Sequence, residues 1–81
     1  MKKRAALSVG ETLRTLREER KMTQEELGNR AGVGQAMIGH VETGRRQLTL
    51  STAVRIARAL DVSVDELAAA EYTEADELQT A

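Results

Sequence analysis

Apolar residues recur at three- and four-residue spacing in separate blocks, and polar runs with glycines divide the blocks. Val9, Leu13 and Leu16 form the first block. Leu27 and Ala31 form the second, and Ile38 and Val41, with Met37 beside them, the third. Leu50, Ala53, Val54, Ile56, Ala57 and Leu60 form the fourth, and Leu67 and Ala68 close a short fifth. This period is that of a helix with one buried face, not of a strand. It predicts helices from Val9 to about Lys21, from Gln24 to Ala31, from Gly34 or Gln35 to Glu42 or Thr43, from Leu50 to Leu60, and from Val64 onward.

The punctuation agrees. Ser8 and Glu11, Thr23 and Glu26, and Ser63 and Glu66 each give the S/T-x-x-E spacing of a capping box, in which two side chains satisfy two orphan amides. Thr49 is a further N-cap candidate. Gly32 and Gly44 follow the second and third helices, where a left-handed residue ends a helix cheaply. The expected fold is all-α, a compact bundle of five short helices.

Composition fits that picture. Of the 81 residues, 41% are hydrophobic and 31% charged, within the range of globular chains. Tyr72 is the one aromatic residue, so the core must come from Leu, Val, Ile, Ala and Met. Cysteine is absent, which excludes disulfides and thiolate metal sites. No apolar run is long enough to span a membrane. Lys2, Lys3 and Arg4 precede no hydrophobic signal region, so an intracellular location is expected.

The net charge of −1 conceals an asymmetry. Residues 1–60 carry all 12 Lys and Arg and 6 of the 13 acids, a net of +6. Residues 61–81 carry the other 7 acids and no Lys or Arg, a net of −7. A basic part beside an acidic part points to a polyanion as partner of the former. The chain divides into a basic arm (1–7), a helical domain (8–69) and an acidic tail (70–81).

At about 100° per residue the third helix sorts its side chains into two faces. Ile38 and Val41 lie on one. Gln35, Ala36, Gly39 and His40 lie on the other, which is small and polar. Gly39 makes the helix intrinsically poorer, because an interior glycine costs roughly 1 kcal/mol against alanine. Close approach to a partner is one reason to keep it. Such a face suits the major groove of DNA. Gln35 can pair bidentately with adenine, Ala36 can meet a thymine methyl, and His40 can donate to a base or phosphate. Arg45 and Arg46 follow directly, placed for backbone phosphates.

The segment TQEELGNRAGVGQAMIGHVETG, residues 23–44, resembles the helix-turn-helix of the phage-repressor-like family (Cro and lambda repressor, or XRE). The matching residues include Thr23 to Leu27, Ala31-Gly32-Val33, Ile38, Val41-Glu42 and Gly44. The likeness continues through Leu50, Ile56-Ala57, Ala59-Leu60, Val62-Ser63 and Asp65 to Leu67, and begins upstream at Leu13-Arg14 and Leu16-Arg17. It spans roughly residues 9 to 67; each motif is weak alone, and the set at this spacing is specific.

The resemblance implies a sequence-specific DNA-binding transcriptional regulator, acting as a homodimer on a palindromic operator in the cytoplasm, at the nucleoid. It leans toward repression. Gln24, at the start of the second helix, would hold a phosphate with the helix amides. Arg17 and Glu42 match positions that pair between the first and third helices. Lys2, Lys3 and Arg4 would reach phosphates or the minor groove, as basic arms do. Leu50, Val64, Leu67 and Tyr72 are candidates for the dimer surface. Two departures stand out. Gly34 replaces the usual Ser or Thr cap of the third helix, and Gly28 stands where alanine is common. The outer face also lacks Arg and Lys, which leaves part of the selectivity to DNA shape.

Two rival readings remain. One is an antitoxin-type interaction module whose acidic tail binds a protein partner. The other is a restriction–modification controller protein. Catalysis is not expected: one His, one Tyr and no Cys give no nucleophile–base set, and no metal or other cofactor is implied.

Overall fold

The computed structural model describes residues 8–68. Four helices follow in order: α1 (Val9–Glu19), α2 (Gln24–Ala31), α3 (Gln35–Glu42) and α4 (Leu50–Leu60). A fifth, α5, begins at residue 64 and is helical to residue 68, the limit of the described residues. Among these residues there is no strand.

The helix starts form as their caps dictate. In α1 the Ser8 hydroxyl accepts from the Glu11 amide at 3.1 Å, and Glu11 returns the contact to the Ser8 amide at 3.0 Å. Thr23 with Glu26 and Ser63 with Glu66 repeat the exchange at α2 and α5. Thr49 caps α4 through the Thr52 amide. At the far ends, Gly32 (φ +72°) and Asp61 (φ +61°) take the left-handed conformation that turns the chain out of α2 and α4.

The core is aliphatic. Leu13, Leu27, Ile38, Ile56, Leu60 and Leu67 are each at most 1% exposed. Full burial of each such side chain stabilises the fold by about 1.5–3 kcal/mol. Met22, Val33, Met37 and Leu48 pack around them. Helix α2 packs on both α3 and α4, and α1 packs on α3. Gly10 permits that last approach: a Cβ there would lie 2.7 Å from the Glu42 carbonyl oxygen and would also strike that of Val41.

Three expectations need correction. Helix α1 ends at Glu19, two residues before Lys21, because Arg20 is its C-cap and Lys21 turns to φ +56°. Leu50 is not a core residue. It is 75% exposed. It is the first residue of α4, at the end of the stripe formed by Ala53, Ile56, Ala57 and Leu60, where the described residues leave it uncovered. Leu67, a candidate for the dimer surface, is instead fully buried, and Val64 packs against the same core. Lys2, Lys3, Arg4 and Tyr72, with the proposed arm and the whole acidic tail, lie outside the described residues.

Candidate nucleic-acid interface

Helices α2 and α3 meet at a turn that admits no side chain at position 28. A Cβ on Gly28 would lie 2.6 Å from the Gly34 carbonyl oxygen and 2.8 Å from the Gln35 nitrogen. The Gly28 carbonyl in turn accepts from the amides of Val33 at 3.0 Å and Gly34 at 3.3 Å. These contacts set how closely the two helices approach. Gly34, at φ +83° and ψ 155°, precedes α3 without any side-chain cap. The start of α3 is therefore reached by backbone conformation, without the hydroxyl that a Ser or Thr cap would supply.

Ile38 and Val41 bury the inner face of α3. Gln35, Ala36 and His40 are exposed on the outer side, as the helical period requires. Gly39 is half-buried beside Gln24: a Cβ there would sit 3.6 Å from Gln24 Oε1, an ordinary contact distance. Packing within the chain thus gives no reason for a glycine at 39, whereas it does at 28.

One ion pair holds α3 to the rest. Arg17 Nε donates to Glu42 Oε2 at 2.6 Å and Nη2 to Oε1 at 3.2 Å, a two-point contact between planar groups. The Nη1 atom donates to the Met22 carbonyl at 2.8 Å. The side chains are 12% and 4% exposed, respectively. The hydrogen bond to Glu42 raises the pKa of the Arg17 guanidinium above its usual value, against the opposing effect of burial. Gln24 Nε2 completes the cluster by donating to Glu42 Oε1 at 3.0 Å. The Arg17–Glu42 pairing is therefore formed. Gln24 is less free than its terminal position in α2 suggested, since one amide hydrogen is committed inward.

After α3 the chain turns at Gly44 (φ +82°). The amides of Arg45 and Arg46 both donate to the His40 carbonyl, at 2.8 and 3.2 Å. The last turn of α3 thereby anchors the loop that carries the two arginines. Both are exposed, and neither has a carboxylate partner among the described residues. The result is a polar helix face flanked by two available cations.

Three contributors escaped the sequence. Gly10 is one. Thr43, whose hydroxyl donates to the Gly39 carbonyl at 3.0 Å, braces the end of α3. Arg20 donates through Nε to the Leu60 carbonyl at 2.7 Å and through Nη1 to the Leu16 carbonyl at 3.1 Å, tying the ends of α1 and α4. Thr43 alone left a local trace, its spacing of four from Gly39. The other two act across the fold.

Comparison with known proteins bears on this geometry. A family model described as helix-turn-helix matches residues 13–67. An uncharacterized HTH-type transcriptional regulator, y4dJ, of Sinorhizobium fredii (strain NBRC 101917 / NGR234) is 42% identical over 59 residues, covering 73% of this chain and 77% of that protein. Among solved structures, the restriction-modification controller protein C.AhdI from Aeromonas hydrophila superposes with a TM-score of 0.71 at 36% identity, over 73% of this chain and 89% of that one. The P22 c2 repressor protein in complex with a synthetic operator gives 0.73 at 27% identity, over 76% and 94%.

Proposed function

The chain belongs to the helix-turn-helix family of DNA-binding transcription regulators, and from that premise we propose that α3 enters the major groove and that the protein represses transcription by covering its operator. It is not an enzyme; its work is binding. The observation that carries the assignment is the two-sided character of α3. Its inner face is buried and braced by Arg17 and Glu42, while Gln35, Ala36 and His40 stand outward.

In this reading Gln35, Ala36 and His40 meet base edges, and Gly39 lets the helix approach closely. Arg45 and Arg46 hold phosphates on one side, and Gln24 with the α2 amides on the other. The arm residues Lys2, Lys3 and Arg4 add further backbone contacts. Residues 8–69 form the DNA-reading unit, between a basic arm (1–7) and an acidic tail (70–81). A single recognition helix reads few base pairs, so the working form is a two-fold dimer on a palindromic site. Among the described residues no helix is long and apolar enough to cross a membrane, which fits work on cytoplasmic DNA at the nucleoid.

Selection from random duplex DNA at physiological salt tests the proposal. An enriched palindrome is the expected result, and its half-site spacing gives the dimer geometry. Salt-sensitive bulk binding with no enriched sequence contradicts it, and shifts weight to a role in which the tail binds a protein partner. The likeness to C.AhdI supports a narrower second reading, a restriction–modification controller. Binding of a palindrome upstream of an adjacent restriction gene distinguishes that reading from other repressors.

A further inference from the structure

The outward face of α3 continues one residue past Glu42. At about 100° per residue Thr43 falls between Gly39 and Ala36, in the middle of that face, and it is exposed. Helical side chains lean toward the N-terminus, over the preceding turn. Thr43 therefore leans toward position 39, where glycine supplies no side chain. The contacts agree. The Thr43 hydroxyl donates to the Gly39 carbonyl at 3.0 Å, and the Thr43 amide donates to the same oxygen at 3.1 Å.

That bond decides what the hydroxyl can still do. A hydroxyl carries one hydrogen and two lone pairs. The hydrogen of Thr43 is committed within the helix, and the second acceptor near it, the His40 carbonyl at 3.3 Å, also belongs to α3. Thr43 thus offers a partner an acceptor oxygen and a methyl group. Phosphate oxygens only accept, so they have no hydrogen for this atom. In the major groove, guanine presents N7 and O6 and thymine presents O4, all acceptors. Adenine N6 and cytosine N4 present amino hydrogens.

We propose that Thr43 is a specificity-determining residue, whose oxygen accepts a hydrogen bond from the amino group of an adenine or cytosine in the half-site. The inference rests on the entry of α3 into the major groove. Thr43 lies eight residues after Gln35, about 12 Å along the helix axis, so the two side chains act on different bases.

Random-duplex selection with the wild-type chain, Thr43→Val and Thr43→Ser tests the assignment. The wild-type half-site should hold one position restricted to an amino base, distinct from the position that Gln35→Ala relaxes. Thr43→Val keeps the shape and removes the oxygen, and should flatten that position alone. Thr43→Ser keeps the oxygen and should preserve it. Purine in place of adenine there, or 2-pyrimidinone in place of cytosine, should weaken wild-type binding several-fold and leave Thr43→Val unaffected. Thermal melts of both variants identify any loss of the bundle itself. An unchanged consensus with Thr43→Val overturns the proposal. So does equal weakening on every sequence, which assigns Thr43 only to bracing α3. Preference lost in Thr43→Ser but kept in Thr43→Val assigns the contact to the methyl group and also overturns it. A site that Gln35→Ala alters and Thr43→Val does not leaves α3 in the groove and removes Thr43 alone, whereas no enriched site for the wild-type chain removes both.

Discussion

Gln24 Nε2 donates to Glu42 Oε1 at 3.0 Å, so the first residue of α2 is fixed to the last residue of α3. The same carboxylate takes both forks of Arg17 from α1. One acidic side chain therefore joins three helices and sets where the outer face of α3 points. It also places the side-chain amide of Gln24 beside Gly39.

Glu42→Ala should destabilise the fold by about 3–5 kcal/mol, because it leaves the mostly buried Arg17 charge without its partner. Urea denaturation measures the loss. Replacing Arg17 and Glu42 together by apolar residues of similar volume should recover much of it, so the two changes are strongly non-additive. Additive losses would mean that each side chain acts through other contacts.

The two glycines of the motif should respond oppositely to alanine. Gly28→Ala forces a Cβ onto the Gly34 carbonyl, and overpacking of this kind costs roughly 1–3 kcal/mol. Gly39→Ala meets only ordinary contacts with Gln24, so it should stabilise the helix by up to about 1 kcal/mol. It should nonetheless weaken DNA binding by crowding the groove. A thermal melt and a binding titration on the same variant separate the effects. Unchanged affinity in a stabilised Gly39→Ala protein removes the close-approach argument.

Arg45→Ala should weaken binding to all duplexes alike and reduce the slope of log affinity against log salt by about one. Titration at several salt concentrations with operator and scrambled DNA gives the slope. An effect confined to one base position contradicts a phosphate contact.

Gln35→Ala should relax preference at a single operator position, at a cost of about 1–3 kcal/mol for the favoured base. Repeating the random-duplex selection with the variant identifies that position. An unaltered consensus takes Gln35 out of the reading set.

What was legible in the sequence was local. The capping pairs Ser8–Glu11, Thr23–Glu26 and Ser63–Glu66 fixed three helix starts, because each rests on a spacing of three within one turn. The small polar face of α3 was visible from its period. Leu50 was misplaced because a periodic stripe extends formally to the first residue of a helix, whereas packing on neighbours decides whether that residue is covered. Gly10 and Arg20 act between α1 and distant carbonyls, and no local pattern marks such contacts. Gly34 was legible as a missing hydroxyl, but its positive φ, which supplies the start of α3 instead, was not.

Helix α3 is eight residues long, carries no side-chain cap and contains an interior glycine. Isolated helices shorter than about 12–15 residues are marginal in water even with favourable sequences. This one exists because Ile38, Val41 and Glu42 are held by the other helices. Operator recognition therefore has no partly active form. Warming should release DNA at the temperature where the bundle itself melts, with no surviving fragment able to stay on the site. A cell carrying this protein would lose repression as a threshold, and the position of that threshold would move with any core substitution, however far from the DNA.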